Sequence, residues 1–139
     1  MNQLNGGCLC GSVRYDCDAA PLFTAVCQCR NCQKQAGSAF SIIVAVPRGS
    51  LKVHGDTLAS FADRGDDSGQ PVVRYFCRNC GSPIKSEVAA APAMDFIKAG
   101  TLDDVSWLTP QLVVWCDSAQ PWVQMEPAMA RHPRNPSFG

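Results

Sequence analysis

The spacing of cysteine constrains this chain more than any other feature. Nine cysteines occur in 139 residues, and seven fall into three tight groups: Cys8-x-Cys10, Cys27-x-Cys29-x-x-Cys32 and Cys77-x-x-Cys80. Each group sits beside glycine or polar residues, with Gly11 after Cys10 and Gly81 after Cys80. Glycine there lets the backbone bend round an ion and aim amide hydrogens at thiolate sulfur. An odd cysteine count fits poorly with a closed disulfide framework. Met1 to Gly7 has neither the basic nor the apolar region of a signal peptide, so the chain is expected to be cytoplasmic, with reduced thiols. In that setting, clustered cysteines are metal ligands or catalytic groups.

Counting donors sharpens this. A structural zinc takes four ligands, whereas a zinc with three protein ligands keeps a place for water or substrate. Cys8, Cys10, Cys77 and Cys80 supply one set of four, and Cys27, Cys29 and Cys32 the remaining three. Spacing alone equally permits a ribbon-like set of Cys27, Cys29, Cys77 and Cys80 that leaves Cys32 spare.

Around these groups the chain reads as short strands between turns. It has eleven glycines and ten prolines, and no segment carries three turns of helical periodicity. Ser12–Cys17 alternates, with Val13, Tyr15 and Cys17 on one side. Phe40–Val46, Val72–Phe76, Met94–Lys98 and Leu112–Cys116 are further strands. Leu51–Val53 and Leu58–Phe61 are expected to form a hairpin around His54-Gly55-Asp56, and Asp63–Pro71 an exposed loop. One helical turn is expected at Asn31–Gln35. The prolines after Pro127 predict an extended tail over 125–139, following a core of about 4–124. The fold class expected for residues 1–139 is one all-β domain of short antiparallel strands. Ile42–Val46, the longest aliphatic run, is too short to cross a bilayer, which takes about 20 apolar residues. Twelve basic residues balance twelve acidic ones, which disfavours nucleic acid as a partner.

The cysteine-bearing segments resemble the glutathione-dependent formaldehyde-activating enzyme family. The likeness runs through Gly6-Gly7-Cys8-Leu9-Cys10-Gly11, Val26-Cys27-Gln28-Cys29-Arg30-Asn31-Cys32 and Gly37-Ser38-Ala39-Phe40. It continues in Arg74-Tyr75-Phe76-Cys77-Arg78-Asn79-Cys80-Gly81-Ser82-Pro83-Ile84, Lys98-Ala99-Gly100-Thr101-Leu102-Asp103-Asp104 and Pro121-Trp122. The resemblance implies a zinc-stabilised β-tent. It implies a structural zinc on Cys8, Cys10, Cys77 and Cys80, and a catalytic zinc on Cys27, Cys29 and Cys32. It also implies a carbon–sulfur lyase that adds glutathione to formaldehyde. Gln28 departs from the histidine common at that place and is expected to point away from the metal.

The rival functions are a zinc module that binds protein or nucleic acid, as in the centromere protein V-like relatives, and a thiol redox protein. For the enzyme, Ser38 and Lys85 are the candidate donors to a developing alkoxide, with turn and surface roles as the plainer reading. Cys17 and Cys116 are expected to be buried, inert thiols. His54 and His132 are read as solvated loop residues, and Asp103 and Asp104 as part of a capped turn. Trp107, Trp115 and Trp122 are candidates to line a pocket, with core packing as the plainer reading.

Overall fold

A computed structural model describes residues 3–136. Its strands are β1 (Leu4–Gly7), β2 (Arg14–Cys17), β3 (Phe23–Cys27), β4 (Ser41–Pro47), β5 (Leu51–His54), β6 (Leu58–Arg64), β7 (Pro71–Cys77), β8 (Pro83–Val88), β9 (Met94–Lys98), β10 (Leu112–Val114) and β11 (Ala130–Arg131). One helix, α1 (Arg30–Ala36), follows β3. The fold is all-β, as expected, and α1 brackets the expected helical turn.

The strands form two sheets, one of three strands in the order β1-β2-β5 and one of eight in the order β11-β10-β3-β4-β9-β8-β7-β6. The three-stranded sheet packs on one face of the larger sheet. Between them lies the main core, where Leu4, Val13, Tyr15, Cys17 and Leu51 meet Val44, Val46 and Ile97. The period-2 alternation of each strand sends the intervening side chains to the opposite face. There Ile43, Ala45, Met94 and Phe96 cluster with Phe23 and Val88. The strand β9 is covered on both faces, so all five of its residues are buried, Asp95 and Lys98 included.

Several expectations are corrected. Leu51–Val53 and Leu58–Phe61 do not form a hairpin: β5 pairs with β2, whereas β6 pairs with β7 in the other sheet. At the intervening turn, Gly55 has φ of +141° and its backbone closes on that of Ser12. The chain thus crosses between sheets there instead of folding back on itself. The exposed loop shrinks, because β6 runs on to Arg64 and β7 begins at Pro71. The strand pairing is not wholly antiparallel, since β10 lies parallel to both β3 and β11. The segment read as an extended tail supplies β11 and then returns across the end of β10, where the amides of Cys116 and Asp117 donate to His132 and Pro133 carbonyls.

Candidate metal centres

Two similar backbone turns build the first cluster. After β1, the Gly11 amide donates to the Cys8 carbonyl at 3.1 Å, and after β7 the Gly81 amide donates to the Cys77 carbonyl at 2.7 Å. Gly11 and Gly81 both take positive φ, near +80°, which glycine alone adopts without strain. These turns bring Cys8, Cys10, Cys77 and Cys80 together, all four sulfurs lying within 4.8 Å of one another. Cys8 Sγ is 3.6 Å from Cys10 Sγ, which is 3.8 Å from Cys77 Sγ. A tetrahedron with metal–sulfur bonds of ~2.3 Å has edges of about 3.8 Å, so this spacing suits one ion. The Val13 amide donates to Cys8 Sγ and the Asn79 side-chain amide to Cys10 Sγ, each at 3.2 Å. The hydroxyls of Ser12 and Thr57 hold Cys77 down to about 5, and Ser12 followed by Asn79 holds Cys10 down to about 7.

The second cluster sits where β3 gives way to α1. Cys27 ends β3, Cys29 caps the helix, and Cys32 lies in its first turn. The Cys32 amide donates to Cys29 Sγ at 3.3 Å, and the three sulfurs again lie within 4.8 Å of one another. Strand alternation places Cys27 on the face of Ala25 and Phe23, away from the main core. On that face the three thiols border a cavity of about 510 Å³. The alternative set that joins Cys27 and Cys29 to Cys77 and Cys80 is not formed, because each pair lies in a different cluster. Both clusters can hold a metal ion.

Two buried cations, which cysteine spacing does not reveal, share the cavity with the three thiols. Arg74 is 6 % exposed and Lys98 5 % exposed. Arg74 Nη1 donates to Cys32 Sγ at 3.7 Å and its Nε to Asp63 Oδ2 at 2.8 Å. Lys98 Nζ lies 3.0 Å from the hydroxyl of Ser41, the residue paired with Cys27 across β3 and β4. Cys32 is held well below the ordinary thiol range, first by hydrogen bonds with Cys27 and Cys29 and then by the charges of Lys98 and Arg74. Cys27 is pushed up by its two thiol neighbours and by burial. Burial pushes Lys98 down, against the pull of Cys32. The available signal was a charge at an inward position of an otherwise apolar strand, as in Val72-x-Arg74-x-Phe76 and Met94-x-Phe96-x-Lys98.

Residues 3–118, which carry both clusters, match the family described as glutathione-dependent formaldehyde-activating enzyme. The chain belongs to that family. A relative from Podospora anserina named for that activity is 30% identical over 118 residues, covering 80% of this chain and 53% of its own length. One from Aspergillus flavus with the same name is 30% identical over 97 residues, covering 66% of this chain and 48% of its own. This family member therefore spans about half the length of the curated relatives it matches. A crystal structure of a Rhodobacter sphaeroides protein shares the fold, with a TM-score of 0.59 at 20% identity over 74% of this chain and 91% of that one.

The remaining expectations fare unevenly in this family member. Ser38 is exposed just after the end of α1, and Lys85 is drawn to Glu87 at 2.9 Å and Asp95 at 3.5 Å; neither lines the thiol cavity. Gln28 is buried and also lies outside the cavity lining. Cys17 is fully buried, as expected, whereas Cys116 is only half-buried. His54 is exposed beside Asp16, and His132 is half-buried; neither joins a cluster. Asp104 caps a turn by accepting from the Ser106 amide at 3.0 Å, while Asp103 pairs with Arg14. Trp107 packs on the core, Trp115 borders the cavity, and Trp122 is exposed. No helix among the described residues is long and apolar enough to cross a membrane.

Proposed function

We propose that this protein is a zinc-dependent carbon–sulfur lyase-type enzyme that joins a small thiol to an aldehyde, or reverses that addition. The family description names glutathione and formaldehyde as one such pair. The observation that carries the reading is the contrast between the clusters: four sulfurs close one, whereas three sulfurs border a cavity in the other.

The donors suit zinc. Both sets are all sulfur, none of the cysteines is tied up in a disulfide, and amide or guanidinium donors support the sulfurs of each. On this reading Cys8, Cys10, Cys77 and Cys80 hold a structural ion, and Cys27, Cys29 and Cys32 a catalytic one. When bound at the three thiols, zinc would supply an open position that favours the thiolate form of a substrate thiol. Such thiolate centres call for a reducing compartment, in keeping with a cytoplasmic protein.

The chain's own groups would do the rest. The substrate sulfur attacks the carbonyl carbon, the carbon–oxygen π pair moves onto oxygen, and that oxygen takes up the proton the thiol released. Lys98 offers an ammonium to the developing alkoxide. Ser86 Oγ is buried on the cavity wall with no hydrogen-bond partner among the described residues, so it is available to the same oxygen. Arg74 holds Cys32 in place and balances its charge. Lys98 and Ser86 thus take the donor role for which Ser38 and Lys85 are the candidates in the sequence.

The test is a metal count with turnover. Purified reduced protein should carry two zinc ions, and Cys29→Ala should lose one of them, together with thiol–aldehyde turnover, while staying folded. An unchanged count with unchanged turnover would sink the reading.

A further inference from the structure

The cavity is larger and less polar than formaldehyde needs. A one-carbon aldehyde is only a little bigger than a water molecule, which takes up about 30 Å³ of liquid. The cavity measures about 510 Å³, within the size range of sites for much larger ligands. Its charges lie at two ends. Arg74 and Lys98 sit deep, among the thiols, and Asp66 and Asp67 stand at the exposed β6–β7 loop. The wall also carries an apolar belt formed by Ile43, Val72, Val88, Phe96, Leu112 and Val114.

Glutathione alone does not account for that belt. Its two carboxylates and its ammonium each need water or a partner when buried. The apolar side chains of the belt offer neither, and at the mouth Asp67 is already paired with Arg134 at 2.7 Å. A glutathione sulfur among the thiols would thus leave the belt to whatever the carbonyl carbon carries.

We propose that the carbonyl substrate is an aldehyde with an apolar body of branched-aliphatic or aromatic size, seated in this belt. The inference rests on the thiol–aldehyde reading above and names its electrophile. The step balances as before: a carbon–sulfur bond forms, the carbonyl π bond opens, and the thiol's proton ends on oxygen. No oxidant or reductant is required. The body gains by leaving water, at about 25 cal/mol per Å² of apolar surface buried.

The experiment uses zinc-loaded protein and glutathione with formaldehyde, 2-methylpropanal or benzaldehyde, and measures unreactive benzyl alcohol binding by calorimetry. Benzaldehyde should exceed formaldehyde in kcat/KM by tenfold or more. Ala25→Leu puts bulk into the cavity wall and should lower the benzaldehyde-to-formaldehyde ratio at least tenfold. Val88→Phe on another part of the wall should do the same if the first variant fails to fold. Turnover of formaldehyde alone, or a ratio unmoved by either variant, overturns the inference and keeps the thiol–aldehyde reading. Absence of turnover with every aldehyde, with benzyl alcohol bound and weakened by Ala25→Leu, overturns the reaction and keeps the apolar site. Neither turnover nor binding overturns both.

Discussion

Arg74 Nη1 donates to Cys32 Sγ across 3.7 Å, tying the middle of β7 to the first turn of α1 over 42 residues of chain. The same guanidinium holds Asp63. Burial works against the Arg74 charge, and Cys32 with Asp63 more than offsets it, so Arg74 stays protonated. Arg74→Met should therefore destabilise the protein by about 3 kcal/mol, because Asp63 loses its partner in a partly buried place. Adding Asp63→Asn should restore part of that loss, and a double-mutant cycle by denaturant unfolding reads the coupling.

Lys98→Met keeps the length of the side chain and removes the ammonium. Turnover of a thiol–aldehyde pair should fall by about 10²-fold, as for loss of one oxyanion donor. The zinc content should stay at two, since Lys98 supplies no ligand. Steady-state kinetics with metal analysis of the same sample checks both.

The two clusters should differ sharply in what they do for stability. Cys80→Ser opens the four-sulfur set that joins the ends of β1 and β7, and structural zinc contributes on the order of 10 kcal/mol. That variant should lose its cooperative thermal transition. Cys29→Ala should keep it, with a modest drop in Tm. Circular dichroism melts of the two variants make the comparison.

Tyr15 gives the protein an alkaline limit. Burial pushes its phenol up to about 12, with Thr101 Oγ1 at 2.8 Å from the hydroxyl. In the unfolded chain the phenol titrates near ~10. Between these values the unfolded state releases a proton that the folded state keeps. Stability from this group is thus complete below pH ~10 and is lost as pH rises toward 12, by about 2 kcal/mol. Tyr15→Phe should flatten that part of the stability curve, at a cost near ~1 kcal/mol at neutral pH for the lost hydrogen bond.

Gly6→Ala tests the joint between the small sheet and the loop after β9. A Cβ on Gly6 would collide with the Tyr15 ring and the Thr101 carbonyl. The backbone atom cannot swing aside as a long side chain does, so the cost should be about 3 kcal/mol. An urea titration against the parent protein measures it.

Much of this was legible from residue order because it is local. Thiols two or three residues apart, with a glycine beyond, are close in any compact fold, so the three groups were visible as they stand. Val13, Tyr15 and Cys17 alternate, and they are buried on the β2 side that meets the larger sheet. The strands β1, β3, β8 and β11 are not among those expected from the sequence. Two of them carry weak signals of their own: Leu4–Gly7 ends in two glycines, and Pro83–Val88 opens on proline with two charged residues inside. Their strand geometry comes from their pairing partners.

The sequence by itself determined that seven thiols gather in three groups and that short strands surround them. Only the tertiary structure decided which groups meet. That choice rests on strand alternation combined with long-range pairing: Cys77 faces the main core, where Cys8 waits, and Cys27 faces the cavity. The same pairing carried Arg74 from β7 and Lys98 from β9 to the thiols of α1. A side chain's face is set by its own strand, but what stands opposite that face is set by which strands become neighbours, and that depends on contacts far apart in the chain.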